Sequence, residues 1–277
     1  MDYAPNGSRC PGGHPICKFS SRTRALLTGF GVVRFVSVLA IAQSTILLLM
    51  LLLVCSNATL ARGQSQDIGW ETRPRLVADV ELVPRTRIQA WGELQHGVNF
   101  SFQRWRTGFL LLRRMKPIVK AHRQDIDADK EHHLVFGAGY EYLHTIQNGS
   151  LKVENRIIAQ VTPNYIIPGE FLITDRNRAE FRWVNGAYDF RYRNKLMLQR
   201  PLEVHNFTFT PYGSGELYHD RNHQSWNQNQ YGGGIQFPYK RLLMLDTYLL
   251  HQNCTSCSQH SINMLGATLN LYFRRAK

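Results

Sequence analysis

The sequence has little of three things: cysteine, long apolar runs beyond its first sixty residues, and helical periodicity. Only Cys254 and Cys257 lie beyond residue 61, which argues against a small secreted domain held together by disulfides. The longest apolar stretch after residue 62 is GFLLL at 108–112, which is too short for a helix that spans a membrane. A shorter repeating pattern must therefore organise this part of the chain.

The first sixty residues contain the one long apolar run, which covers residues 35–55 and carries no charge. Basic residues precede and enter this run, and the small, polar stretch NATLARGQSQ follows it. This order is typical of a secretory signal peptide. We predict a leader over residues 1–61, cleaved after Ala61, and a single domain over residues 62–277. A retained membrane anchor is the alternative, because about 20 apolar residues suffice to span a bilayer.

The rest of the chain alternates apolar and polar residues with period two. In the segment 151–162 most odd positions are apolar and most even positions are charged or polar. The segments 134–142, 178–183, 188–199 and 265–273 alternate in the same way. Period two indicates strands with one apolar face. Such strands are predicted near 74–83, 86–96, 98–113, 132–145, 150–163, 172–184, 187–200, 206–219, 227–237, 241–251 and 260–273.

Most of these strands are longer than the 5–6 residues usual in soluble sheets and match the roughly 9–11 residues that a membrane-spanning strand needs. Asn148-Gly149, Asn185-Gly186 and Pro238-Tyr239-Lys240 are turn sequences between predicted strands. Eleven segments are counted, but bacterial barrels have even strand numbers. We therefore predict an all-β fold, an antiparallel transmembrane β-barrel of 10–12 strands, with one strand missed or split.

The predicted hairpin over residues 172–200 resembles a known family. It carries Arg176, Arg178, Glu180 and Arg182 on one strand, then an F-R-Y-R-N-K stretch on the next. With ENRIIAQVTP, FTPYGSGELYHD, QYGGGIQF and LNLYF, this pattern is similar to the bacterial outer-membrane barrels grouped as domain of unknown function 2490. The resemblance covers roughly residues 70–273. It implies a barrel and no biochemical activity, since the family has none assigned.

Charged residues of the predicted central strands fall on the face opposite the apolar one. In a membrane barrel this face lines the lumen, because the lipid face penalises Arg or Lys by about 2–4 kcal/mol at mid-depth. A self-neutralising ladder that plugs a narrow barrel and an anion-favouring pore are both consistent with this row. The predicted lumen-facing residues are Lys152, Glu154, Arg156, Arg178, Glu180, Arg182, Arg191, Arg193 and Lys195.

Two further groups of residues suggest chemistry. His223 and Ser225 lie two residues apart, and a surface lipid hydrolase could use such a pair as base and nucleophile. No third member is identifiable, and we predict that the protein is not an enzyme. Cys254 and Cys257 are predicted to form a disulfide in an oxidising compartment. With His251 and His260 they offer a zinc alternative, but we predict no metal and no cofactor. The polar stretch 116–133 is predicted to be the longest surface loop.

The formal net charge of +13 would suit nucleic acid, but a leader removes that partner from reach. The predicted location is the bacterial outer membrane. The predicted partners are its lipid and lipopolysaccharide, the barrel assembly machinery and small anionic solutes. The assembly machinery is predicted as a partner because of Leu269, Leu271 and Phe273. A last strand that alternates in this way and ends in an aromatic residue resembles the signal that this machinery reads in outer-membrane proteins. A periplasmic β-protein that binds a ligand stays as a further alternative.

Overall fold

The computed structural model describes residues 68–115, 117–118, 125–205, 207–223 and 225–274, except for the side chain of His223. The leader predicted over residues 1–61 lies outside the described residues. The described chain folds into strands and two short 3-10 helices, Ala128–Glu131 and Arg221–His223. The strands are β1 (Ile68–Val83), β2 (Thr86–Gly97), β3 (Phe102–Arg114), β4 (Leu134–Gln147), β5 (Ser150–Ile167), β6 (Phe171–Val184), β7 (Ala187–Gln199), β8 (Leu202–Val204), β9 (Phe207–Asp220), β10 (Ser225–Tyr239), β11 (Leu243–Cys254) and β12 (Ser261–Phe273).

Eleven of these strands close into one barrel. The order around the ring is β10, β11, β12, β1 to β7 and β9, and β9 pairs with β10 to complete it. The short strand β8 pairs only with β9 and stands outside the ring. The eleven segments predicted from the alternation correspond to these eleven barrel strands, so the all-β barrel is confirmed.

The inference that the strand count had to be even was wrong, and so was the prediction of a wholly antiparallel barrel. The closing pair, β1 with β12, is parallel, and its register runs from Ile68 opposite Ser261 to Val80 opposite Phe273. The other ten pairs of the ring are antiparallel. With an odd number of strands the first and last run in the same direction. A parallel pair satisfies the backbone of both edges nearly as well as an antiparallel one.

The two ends of the barrel differ in their connections. End A carries the start of β1, the β2–β3, β4–β5, β6–β7 and β9–β10 connections, and the loop 255–260. End B carries the other connections and the last residue of β12. Asn148 and Gly149 have φ of 49° and 77°, and Asn185 and Gly186 have φ of 47° and 86°. Positive φ at both central residues suits the tight hairpins predicted there. Pro238 instead belongs to β10, and that turn follows it.

The barrel is polar inside and apolar outside. The inner positions of β5 are even-numbered, and Glu154, Arg156 and Ile158 are buried there. The outer positions carry large apolar side chains that stay exposed, such as Trp105 at 60% and Leu249 at 52%. A soluble barrel would bury its apolar side chains inside, so this distribution is the reverse of the usual one.

Aromatic residues of the outer face collect near the two ends. Trp70, Trp105, Trp183, Tyr188 and Trp226 lie on outward positions near end A. The outward aromatic residues near end B are mainly phenylalanine and tyrosine, among them Phe136, Tyr165, Phe207, Tyr239 and Phe273. Within the described ranges no helix is long and apolar enough to cross a membrane.

The inner face also holds an apolar cluster that the sequence pattern did not isolate. Its members are Val77, Trp91, Leu110, Leu112, Val135 and Ile158, all contributed by β1 to β5. Leu110 and Leu112 come from the run GFLLL, whose two faces are both apolar. This cluster fills part of the lumen beside the charged residues, so packing within the barrel is a mixture of apolar contacts and ion pairs.

Candidate functional site

The nine residues predicted to face the lumen all lie on inner positions of β5, β6 and β7. The pairing places Arg156 opposite Arg182 and Arg178 opposite Arg193. Like charges directly opposite one another are destabilising unless carboxylates separate them. Acidic residues on these and neighbouring strands supply that separation.

An ion-pair belt crosses the lumen at mid-height. Glu141 and Glu180 are fully buried, and each forms ion pairs with two guanidinium groups. Arg106 Nη2 lies 2.7 Å from Glu141 Oε1, and Arg156 Nη1 lies 3.0 Å from Glu141 Oε2. Arg156 Nη1 also lies 3.4 Å from Glu180 Oε2, and Arg193 Nη1 lies 2.9 Å from Glu180 Oε1.

The belt continues beyond these two carboxylates. Arg106 reaches Glu93 at 3.3 Å, and Arg193 reaches Glu216 at 2.8 Å. The ion-pair belt therefore alternates acid and base from β2 to β9, in the order Glu93, Arg106, Glu141, Arg156, Glu180, Arg193, Glu216 and Arg176. Of these eight residues, only Arg156, Glu180 and Arg193 were among the lumen-facing residues predicted from the sequence. The same period-two pattern places the other five on the polar face, but they were not predicted: Glu93, Arg106, Glu141, Arg176 and Glu216.

A second set of pairs lies above the belt, toward end A. Glu154 pairs with both Arg156 and Arg182. Arg182 Nη1 also lies 3.1 Å from Asp189 Oδ2 and 3.1 Å from Asp220 Oδ1. Arg191 Nη2 donates to Asp220 Oδ2 at 2.9 Å. The excess of basic residues counted on β5 to β7 is thus largely compensated by acidic residues of other strands.

Four basic side chains of the lumen make no ion pair with any described carboxylate. Arg104 donates to Thr145 Oγ1 at 2.8 Å and to Gln95 Oε1 at 3.3 Å, and Arg178 donates to Gln160 Oε1 at 2.7 Å. Lys152 and Lys195 likewise line cavities without a paired carboxylate. Arg104 and Lys152 face a cavity of about 560 Å³ on the end-A side, the end-A chamber. Arg178 and Lys195 face one of about 280 Å³ on the end-B side.

The loop 255–260 covers the end-A chamber. Cys254 and Cys257 form a disulfide at its base, and Cys257, Ser258 and Gln259 line the chamber. Ser258 Oγ accepts from Gln147 Nε2 at 2.7 Å. Gln147 ends β4, which stands on the opposite side of the ring from β11 and β12. The loop therefore reaches across the mouth. Both sulfur atoms are bonded to each other, which removes the thiolates that the zinc alternative required.

The segment 125–133 folds into end B and is mostly half-buried, which corrects this part of the predicted surface loop 116–133. Residues 116 and 119–124 of that prediction lie outside the described residues. Ile126 packs against Met244 and Tyr272, and Asp129 pairs with Arg87 and Arg114. The sequence signal was an apolar residue, Ile126, among regularly spaced aspartates, and Asp127 and Asp129 turn inward toward arginines of the strand ends at end B. Burial raises the pKa of Asp129. Burial also opposes ionisation of Asp127, but Arg87 and Lys130 outweigh it and hold the pKa of Asp127 below its usual value.

The residues of the hydrolase alternative are only partly described. Ser225 begins β10 and is exposed near end A. The side chain of His223 lies outside the described residues, so the geometry of this pair carries no argument. Among the described ranges no group of three or more histidine, cysteine, aspartate or glutamate side chains could hold a metal ion.

The comparison with protein families gives one match. The model of a family described as "Protein of unknown function (DUF2490)" matches residues 123–262, which cover the segment 125–133, β4 to β11 and the loop 255–260. This match includes most of the ion-pair belt and both cysteines of the disulfide. No curated protein matches the chain.

Proposed function

The chain belongs to the DUF2490 family, whose description assigns no activity, and we propose from the barrel itself that it is a non-enzymatic β-barrel of the bacterial outer membrane, closed at rest. On this proposal residues 1–61 direct export and are removed. The barrel assembly machinery then inserts the barrel, guided by the outward residues of β12. Lipid covers the apolar outer face, and lipopolysaccharide meets the basic residues near the barrel ends.

The single observation that carries this proposal is the polar lumen within an apolar outer wall. Burying a large apolar side chain stabilises a protein by about 1.5–3 kcal/mol. On the outer wall many large apolar side chains stay exposed, including Trp105 and Leu249, so in water the barrel would lack this stabilisation. In a membrane, lipid covers these side chains and supplies it. The outward aromatics near both ends also suit the two interfaces of a bilayer.

The ion-pair belt supports the closed state. A solute crossing the lumen at mid-height would have to separate Arg156 or Arg193 from Glu180. Removing one partner of a buried pair typically costs about 3–5 kcal/mol. The apolar cluster on β1 to β5 and the segment 125–133 further reduce the free cross-section.

A narrow anion-favouring channel is the second candidate. Arg104, Lys152, Arg178 and Lys195 face the lumen without paired carboxylates, and basic side chains along a pore favour anions. This alternative requires the belt to open.

Heat modifiability tests the proposal first. The barrel, recovered from an outer-membrane fraction, should run fast on a denaturing gel without boiling and shift when boiled. Planar bilayers should then show little conductance, whereas steady anion-selective steps would favour the channel. Release into the soluble fraction on osmotic shock, with no shift on the gel, would contradict the proposal and favour a periplasmic binding protein.

A further inference from the structure

The end-A chamber has the size and form of a ligand site. Its volume of about 560 Å³ falls within the roughly 300–1,000 Å³ usual for small-molecule pockets. The ion-pair belt lies beneath it, and the loop 255–260 lies above it. A solute held there would be enclosed on most sides without having to pass the belt.

Two positive charges in the wall of this chamber are not neutralised by an ion pair. Arg104 donates only to neutral partners, Thr145 and Gln95, and its guanidinium lies 4.9 Å from the ring centroid of Phe102. Lys152, two residues into β5, lines the same chamber and pairs with no described carboxylate. The other basic residues that line it each have a carboxylate partner: Arg73, Arg106, Arg156, Arg182, Arg191 and Arg193. Arg104 and Lys152 thus remain for an external anion.

The rest of the wall offers neutral hydrogen-bonding groups and aromatic faces. Gln147, Gln228, Gln230 and Gln252 contribute amides, and Asn227 leaves its buried Oδ1 without a hydrogen-bond partner. Phe100, Phe102 and Tyr218 also line the chamber. Amides hydrogen-bond hydroxyl groups in either direction, and aromatic rings pack against the apolar faces of sugar rings. A simple inorganic anion would leave these groups unused.

We propose that the end-A chamber binds a small anionic saccharide, a hexose-sized sugar with one carboxylate or phosphate, whose charge is held by Arg104 and Lys152. The amide and aromatic wall holds the sugar ring. The inference rests on the proposed function only through the folded barrel, since binding requires neither conduction nor passage through the belt.

Calorimetric titration of the folded barrel in detergent tests this directly. The probes are glucuronate, glucose 6-phosphate, glucose and inorganic phosphate. We expect glucuronate or glucose 6-phosphate to bind at least tenfold more tightly than glucose and than inorganic phosphate, and the affinity to fall as salt rises. Glucuronate alone would identify a carboxylate ligand, and glucose 6-phosphate alone a phosphorylated one.

The variant Arg104→Gln with Lys152→Gln should weaken binding at least tenfold while the barrel keeps its heat modifiability. Lys240→Gln is the control, because Lys240 lies in an exposed turn at end B, far from the chamber. The substitution removes a positive charge without changing the wall of the chamber. Equal binding of glucose and glucuronate, or of phosphate and glucose 6-phosphate, would overturn the inference. So would a heat-modifiable barrel that binds none of the probes, which leaves the proposed function standing.

Discussion

At the scale of single residues, Glu180 is the side chain on which most of the ion-pair belt depends. It is fully buried and receives Arg156 and Arg193 from two neighbouring strands. Glu180→Gln keeps the shape but leaves both guanidinium groups with less compensating charge. We expect the free energy of unfolding to fall by about 3–5 kcal/mol, measured from the urea dependence of the folded gel band.

A control variant and a double-mutant cycle test whether the effect comes from the ion pair with Arg193. Glu203→Gln removes an exposed charge from β8, outside the ring, and should change stability by less than about 0.5 kcal/mol. Combining Glu180→Gln with Arg193→Gln should cost less than the sum of the two single changes, because the second change removes a charge that the first left uncompensated. Strict additivity would show that the two side chains do not interact.

The titration of Asp127 gives a residue-scale prediction with a definite sign. Its pKa is lowered in the folded protein, so its ion pair with Arg87 stabilises the fold above a pH of about 4 and is lost as pH falls through the folded pKa. Asp129, whose pKa is raised, takes up its proton first and leaves Asp127 charged. Hydrogen exchange of 125–133, corrected for intrinsic rates, should stay slow from pH 7 to 5 and quicken below pH 4.

Asp127→Asn is the matched variant for this measurement. It should already lower the protection of the same amides at pH 7, because Arg87 then keeps only Asp79 and Asp129 as carboxylate partners. Loss of protection between pH 7 and 5 in the unmodified protein would show that Asp127 does not hold the segment.

The sequence predicted which side chains face the inside of the barrel, but it did not predict which of them pair with each other. Period two places Arg156, Glu180 and Arg193 on the inner face, since successive side chains of a strand alternate. Which carboxylate meets which guanidinium depends on the register between strands and on the curvature of the barrel. Glu216 is distant from Arg176 in the sequence, and only the pairing of β6, β7 and β9 brings them within 3.1 Å.

At the scale of elements, the long strands were predictable and the short or irregular pieces were not. Each barrel strand is 12 residues or longer, which leaves room for several repeats of a period of two, whereas β8 has three residues and no measurable period. The segment 125–133 is polar except for Ile126 and Ala128, so its composition resembles a surface loop. The segment folds inward because Asp129 pairs with Arg87 of β2 and Arg114 of β3, and its own sequence does not contain these partners.

The loop 255–260 gives an element-scale prediction about access to the end-A chamber. With the disulfide and the hydrogen bond from Gln147 to Ser258, the loop should slow entry of reagents to position 152. A Lys152→Cys variant should react about fivefold faster with a thiol reagent when Cys254→Ser and Cys257→Ser are added, since roughly 1 kcal/mol of closure is removed.

The matched control places the reactive thiol at the other end. Tyr239→Cys lies at the β10–β11 turn near end B, and its labelling rate should not depend on the disulfide. Equal labelling of position 152 with and without the disulfide would show that the loop does not restrict the mouth.

At the scale of the whole molecule, the distribution of polarity distinguishes a barrel in lipid from one in water. Leu249 lies outward at the middle of β11 and is 52% exposed. In lipid, Leu249→Arg should lower stability by about 2–4 kcal/mol, whereas in water it should have almost no effect. Refolding into vesicles followed by urea unfolding measures the difference.

Leu151→Arg is the control, because Leu151 is outward and exposed next to the β4–β5 turn at end A. There the arginine reaches the interface, and the cost should fall to about 0–1 kcal/mol. An equal, small effect at both positions would place the outer wall in water.

Because β1 and β12 are parallel, the two ends of the chain leave the barrel at opposite ends. β1 starts at end A and β12 finishes at end B, so eleven crossings bring the chain out on the side opposite to the one where it entered. In a membrane, an epitope inserted between residues 62 and 67 and one attached after residue 277 should face different compartments. On intact cells an antibody should stain one epitope and reach the other only after the envelope is opened. The barrel would then hold its two chain ends on opposite sides of the membrane, whereas a barrel with an even number of strands holds both on the same side.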